Sequence, residues 1–275
     1  MRLQTAAGAI EGMPALSGRS PTGSAAMKTA DFFVDRLKAW GVSRIFGYPG
    51  DGINGVIGAL QRDGEIDFIQ PRHEEMAAFM AVAHAKFTGE LGVCLATGGP
   101  GATHLITGLY DAKLDHMPVL AICGQAETTV RGASYQQEMN LDRMFADVAE
   151  YVQEVSHPAQ LPHVVDRAIR LAIARRGPAV IILPKDAQEQ AFRAPVREHG
   201  FTRSGPGYSR PIVVPADADV RKASRHAQAD PTETARAPYR RYRRMRPPRR
   251  LREISARNPA LGKMQCWRGY RRRRA

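Results

Sequence analysis

Cysteine is scarce. The 275 residues hold three, Cys94, Cys123 and Cys266, too few and too scattered for a disulfide framework. That scarcity favours a reducing compartment, and a cytoplasmic location is expected. No run of 18 apolar residues occurs, which excludes a membrane-spanning helix. Neither a G-x-S-x-G elbow nor a G-x-x-x-x-G-K-[ST] loop is present, so neither motif-borne hydrolase nor P-loop chemistry is indicated. His73, His84, His104, His116, His157 and His163 lack metal-ligand spacing and have no cysteine pair beside them, so no metal site is expected. What is present suffices for a sizeable core: 43% of the residues are hydrophobic, ordinary for a globular chain of one large domain or two modest ones.

The formal charge of +13 suggests a nucleic-acid binder until its distribution is examined. Residues 224–275 carry 17 Lys and Arg against three acids, leaving 23 basic and 24 acidic residues in 1–223. The body is electrically neutral. Three readings fit the tail: an arginine-rich arm that engages RNA or DNA phosphates, a solvated disordered segment, or a frame-shifted translation of a GC-rich gene. The abrupt change near Ala223–Ser224 and the near-absence of lysine favour the last. Residues 1–26 are small and polar without a secretory apolar stretch, and are expected to be a disordered extension ahead of a natural start at Met27.

Between these ends, apolar periodicity alternates helix and strand. Helices are expected at Thr29–Trp40, Ile53–Leu60, Glu74–Phe87, Ala102–Leu114, Leu141–Val148 and Ala159–Ala174. Strands are expected at 44–46, 67–70, 92–97, 118–123, 151–155 and 179–183. The strands are largely continuous apolar runs, as when both faces are buried. The fold class is therefore α/β, a parallel sheet with helices on both faces over residues 27–186. Residues 187–223, with Pro195, Gly205-Pro206-Gly207 and Pro211, are expected to be a linker, and 224–275 a disordered arginine-rich tail.

Ligands gather at the carboxyl ends of parallel strands, so the informative loops follow Phe46, Gln70, Thr97 and Cys123. Gly50-Asp51-Gly52-Ile53-Asn54-Gly55 matches G-x-G-x-x-G, with Glu74 at the distance of a ribose-binding acid. That alternative is a nicotinamide-binding oxidoreductase using Gly50, Gly52 and Gly55. Against it, Tyr48-Pro49 separates the first glycine from the strand. Arg72-His73-Glu74-Glu75 opens a helix, where acids in the first turn favour the dipole and need no other role. Gly98-Gly99-Pro100-Gly101-Ala102-Thr103-His104 opens another, whose N–H groups either meet a ligand or merely form a turn.

Taken in order, these loops resemble the N-terminal pyrimidine-binding domain of thiamine diphosphate enzymes, in the acetolactate synthase and pyruvate oxidase group. The resemblance rests on Phe46-Gly47-Tyr48-Pro49-Gly50, Arg72-His73-Glu74, Gly98 through Thr103, Gly124-Gln125, Tyr135-Gln136-Gln137-Glu138 and Gly177 through Asp186. It covers about Met27 to Ala223. It implies thiamine diphosphate as cofactor, with Mg²⁺ and FAD only in a full-length form. Glu74 would hydrogen-bond N1′ of the aminopyrimidine, so that N4′ takes the thiazolium C2 proton. The implied substrate is a small 2-oxo acid such as pyruvate.

Tyr48, Pro49 and Gly50 would lie near the reactive end of the cofactor. Pro100, Gly101, Thr103 and His104 would wall the pyrimidine pocket, and Gln125 would face substrate. The resemblance further implies a homodimer or homotetramer through this domain, and no membrane partner. Gly98 and His104 depart from the synthases' usual serine and asparagine, which points to an oxidase-like or uncharacterised branch rather than a biosynthetic synthase. No Gly-Asp-Gly with following asparagines, the family's Mg²⁺-holding motif, occurs later in the chain, so this polypeptide alone is expected to be inactive.

Overall fold

The structure, a computed structural model, describes residues 26–194, 204–209, 211 and 214–229. The extension before residue 26 and the arginine-rich stretch after 229 lie outside the described residues. Six parallel strands form one sheet in the order β2-β1-β3-β4-β6-β5. They are β1 (Arg44–Gly47), β2 (Asp67–Ile69), β3 (Gly92–Ala96), β4 (Val119–Gln125), β5 (Tyr151–Glu154) and β6 (Pro178–Pro184). Every residue of β3, β4 and β6 is buried, whereas the edge strands β2 and β5 are partly exposed. This is the pattern that the apolar runs anticipated.

Alternation along the strands divides the core in two. Ile45, Leu95, Leu120, Ile122 and Ile181 pack against α1 (Thr29–Ala39), α2 (Asn54–Asp63) and α7 (Leu161–Arg175) through Phe33, Leu37, Val56, Leu161 and Ile169. On the other face Phe46, Cys94, Ala121, Cys123 and Ile182 meet α3 (Glu74–Thr88), α5 (Ile106–Leu114) and α6 (Leu141–Phe145). The alanines of α3 (Ala77, Ala78 and Ala81) are fully buried and allow that helix to lie close to its neighbours.

One polar network crosses the first face. Asp166 of α7, fully buried, accepts bonds from Arg36 Nε at 2.9 Å, Arg36 Nη2 at 2.6 Å and Trp40 Nε1 at 2.7 Å. The Ser204 hydroxyl donates to the same carboxylate.

Two expectations need correction. The helix expected over Ala102–Leu114 is divided into α4 (Pro100–His104) and α5, with Leu105 between them. Pro100 starts the first piece two residues earlier than periodicity suggests, because proline suits a helix's first position. The body also runs past 186. α8 (Lys185–Glu189) buries Ala187 and Gln188, Ala191 forms an antiparallel bridge with Lys28, and Phe192 stacks on Phe32 with centroids 3.8 Å apart. The expected linker therefore begins with packed structure. Among the described residues, a second unit contains Lys86–Gly89 and those from Gly207 to Ala229. Its helix α9 (Asp217–Ala229) crosses the compositional boundary at Ala223–Ser224, with Asp217 and Asp219 in its first turn.

The chain leaves β1 toward α2 on one face and leaves β3 toward α4 and α5 on the other. These neighbouring strands therefore form a topological switch point, where connections diverge and leave a crevice at the carboxyl ends.

Candidate functional site

Thr97, one residue past β3, is the hub of that crevice. Its Oγ1 accepts the Gly52 N–H at 3.0 Å. A Cβ placed on Gly50 would lie 2.6 Å from Thr97 Cβ, and one on Gly101 would lie 2.6 Å from Thr97 Cγ2. The loops after β1 and β3 thus touch at Gly50, where a larger residue would push them apart, whereas Gly101 lets α4 fold back over Thr97. Tyr48 is tied in by its N–H, which donates to Leu95 O at 3.2 Å. Gln188 of α8 secures the other side. Its Nε2 donates to Gly52 O at 2.8 Å and Leu183 O at 2.9 Å, and its Oε1 accepts the Val56 N–H at 3.3 Å.

This packing removes the basis of the dinucleotide reading. The Gly52 N–H is spent on Thr97, and a Cβ on Gly55 would fall 2.6 Å from Gln188 Cβ. These glycines accommodate the protein's own side chains.

Glu74 begins α3 just beyond the crevice, its side chain only 12% exposed. Its Oε2 lies 3.0 Å from Nδ1 of His104, at the end of α4. A Cβ on Gly101 would lie 3.4 Å from Glu74 Oε1, so the absence of a side chain there leaves room beside that oxygen. His73 Nδ1 accepts the Glu75 N–H at 3.2 Å and caps the helix, and its ring stands over that of His104 at 4.4 Å between centroids. One ligand atom from each of His73, Glu74 and His104 can be chosen so that all lie within 4.8 Å of one another. Their chain positions carry no metal signature; only the fold assembles them.

The glycine turn is built for close approach. Gly99 has φ +56 and ψ −122, a conformation side chains rarely adopt, and a Cβ there would sit 2.6 Å from Gln137 O. The turn is thereby pressed against the loop that follows β4. Gln125 anchors that loop: fully buried, it donates from Nε2 to Met139 O at 2.9 Å and accepts the Ala126 N–H at its Oε1 at 3.0 Å. Within the loop, Glu138 accepts the N–H groups of Gly132 at 2.6 Å and Tyr135 at 3.1 Å. The Gly132 N–H, with Tyr135 and the Arg131 guanidinium, holds the Glu138 carboxyl below the usual carboxylate range.

The structure therefore brings together Glu74, Gly101, His104 and, through Thr97, Gly50. Pro49 and Gly50 are half-buried at the same strand ends, while Pro100 is exposed at the start of α4. Thr103 turns back on its own helix, its hydroxyl donating to Pro100 O at 2.7 Å. Gln125 has both ends of its amide engaged. Sequence reasoning missed Thr97 and Gln188. Thr97 had a usable signal, a polar residue closing an apolar strand before a glycine turn; Gln188 had none.

Residues 27–144 match the model of the thiamine pyrophosphate enzyme N-terminal TPP binding domain. The chain is 44% identical over 193 residues to a pyruvate oxidase of Lactiplantibacillus plantarum, covering 70% of this chain and 31% of that protein. It is 43% identical over 177 residues to an acetolactate synthase of Arthrospira platensis, covering 62% and 31%. It is 41% identical over 163 residues to acetolactate synthase isozyme 2 large subunit of Escherichia coli, covering 59% and 30%. The chain spans about a third of the length of these curated relatives.

Proposed function

Since residues 27–144 form the N-terminal TPP binding domain of a thiamine pyrophosphate enzyme, we propose that Glu74 binds the aminopyrimidine of thiamine diphosphate in an enzyme that decarboxylates a 2-oxo acid such as pyruvate. The observation that carries this is the largely buried Glu74 carboxylate, held on one oxygen by His104 and facing Gly101 with the other, beside the carboxyl ends of β1 and β3. Such a carboxylate can share a proton with a ring nitrogen without competition from bulk water. The bound cofactor supplies the electron sink for loss of carbon dioxide, and the protein supplies position and electrostatics.

In this reading Glu74 holds a proton at N1′. His104 orients the Glu74 carboxylate, and the turn Gly98–Gly101 forms the flat wall of the pocket. Tyr48, Pro49 and Gly50 border its reactive end, and Pro100 and Thr103 keep α4 in place. Gln125 acts indirectly, by anchoring the loop that carries Tyr135 to Glu138. The donors for the cofactor's other end lie elsewhere. Asp51, the acid of the Gly50-Asp51-Gly52 triplet, is paired with Lys185 at 2.8 Å, so we assign no Mg²⁺ to it. A separate diphosphate-binding domain would hold Mg²⁺ and the diphosphate, with assembly through this domain into a dimer or tetramer.

The test is exchange of the cofactor's C2 proton, followed by NMR with thiamine diphosphate and Mg²⁺ in excess. In a chimera that supplies a relative's diphosphate-binding domain, the parent should accelerate exchange, and Glu74→Gln should remove about 10²–10⁴-fold of that acceleration, the usual worth of a positioned acid–base group. Equal exchange in the two proteins would overturn the assignment.

A further inference from the structure

The side chains around Glu74 form a second donor set, one that competes with the proposed cofactor role for the same carboxylate. We propose that His73, Glu74 and His104 form a site for a zinc-class divalent transition-metal ion. Two imidazoles and one carboxylate are the donors such ions prefer, and they leave open positions for water. Atoms bound to one such ion at about 2.0–2.2 Å stand roughly 3–4 Å apart. The three chosen here already lie within 4.8 Å of one another, and Nδ1 of His104 is 3.0 Å from Glu74 Oε2. Side-chain rotation closes the remaining gap, because His73 and His104 are both exposed. Glu74 is held by the start of α3 and His104 by the end of α4, so two of the donors come from rigid elements.

Binding replaces the His104–Glu74 hydrogen bond and has a second structural cost that serves as its signature. His73 Nδ1 accepts the Glu75 N–H. Ligation through Nδ1 displaces that bond directly, and ligation through Nε2 moves the ring proton onto Nδ1. Either way the Glu75 amide loses its acceptor. The site discriminates against Mg²⁺, which favours an octahedral shell of oxygens over imidazole. A metal held here would occupy the Glu74 carboxylate and exclude the aminopyrimidine. That consequence rests on the reading of Glu74 given above, whereas the metal site itself does not.

The full chain, without thiamine diphosphate, is titrated with Co²⁺ by visible absorption and with Zn²⁺ by calorimetry, in the presence and absence of excess Mg²⁺. The expected result is one ion per chain, insensitive to Mg²⁺, with affinity falling at least about tenfold in each of His73→Asn, Glu74→Gln and His104→Asn. Zn²⁺ should also shift the Glu75 amide resonance and shield His73 and His104 from diethyl pyrocarbonate in the wild type, a readout that needs no variant. Undiminished binding in His73→Asn and His104→Asn, or unshielded histidines at saturating Zn²⁺, would overturn the proposal. Because the measurement contains no cofactor, it can fail while C2-proton exchange still depends on Glu74, and the reverse.

Discussion

Replacing Asp166 by alanine tests how the face opposite α3 is held together. Its carboxylate is fully buried and takes three bonds from Arg36 and Trp40 at 2.6–2.9 Å. At an effective dielectric of about 20, unit charges about 4 Å apart attract by roughly 4 kcal/mol. Removing one member of a buried pair costs about 3–5 kcal/mol, because the other is left without compensation. The Arg36 side chain is 17% exposed and can recover some hydration, which places the arginine's share toward the low end. The Trp40 indole N–H loses its acceptor and adds about 1 kcal/mol or more.

A loss of about 4 kcal/mol is expected, equivalent to a fall in Tm of roughly 8–16 °C for a domain of this size class. Urea unfolding followed by far-ultraviolet circular dichroism, with calorimetry alongside, measures it. The triple replacement Asp166→Leu, Arg36→Met and Trp40→Phe should regain most of the loss, because it removes the buried charges and the indole donor and leaves only the Ser204 hydroxyl, which can turn to Pro162 O. Glu74 and His104 belong to the other side of the sheet, so the folded fraction should keep its Zn²⁺ affinity. A loss below about 1 kcal/mol for Asp166→Ala would refute the reasoning, since a desolvated pair cannot be broken so cheaply.

Gly99→Ala should destabilise by about 2–5 kcal/mol, combining backbone strain at φ +56 with overpacking against Gln137 O, and urea unfolding would measure it. A change within about 0.5 kcal/mol would show that the turn relaxes freely. Glu138 has a lowered folded pKa, so its stabilisation is complete above the ordinary carboxylate range and is lost as pH falls through the lower folded value. Amide exchange at Gly132 and Tyr135 should therefore quicken relative to the core on acidification, and Glu138→Gln should show the same quickening at neutral pH. Burial pushes the Cys94 thiol up to about 12 and raises Cys123 well above its ordinary value. Iodoacetamide mapping by mass spectrometry should find both unmodified in the native protein and both modified in urea.

Much of this protein was legible along the chain, for a definable reason. Buried strands such as Val119–Cys123 and Ala179–Leu183 are local apolar runs, and helices such as α1 and α7 carry their own periodicity. The six strands, the helix order and the α/β class therefore follow from neighbours in sequence. Glu74 could be singled out because it opens a helix within a recognisable local string, Arg72-His73-Glu74. The break at Leu105 was not visible, since Ile106 to Leu114 continues the pattern that Ala102 begins. Neither was α8, whose five residues become a helix by burying Ala187 and Gln188.

By itself the sequence determined the alternation of strand and helix, the burial of both sheet faces and the loops from which site residues come. The tertiary structure alone decided which of those residues meet. His104 lies 30 positions from Glu74 and touches it because β1 and β3 are neighbours at a switch point. Gln188 reaches Gly52 across 136 positions because α8 returns to the crevice. Gly50, Gly52 and Gly55 spell a nucleotide motif along the chain, yet in space their missing side chains are filled by Thr97 and Gln188. Local pattern is set by burial and backbone preference, which act on neighbours, whereas a site is set by long-range packing, which no short window of sequence contains.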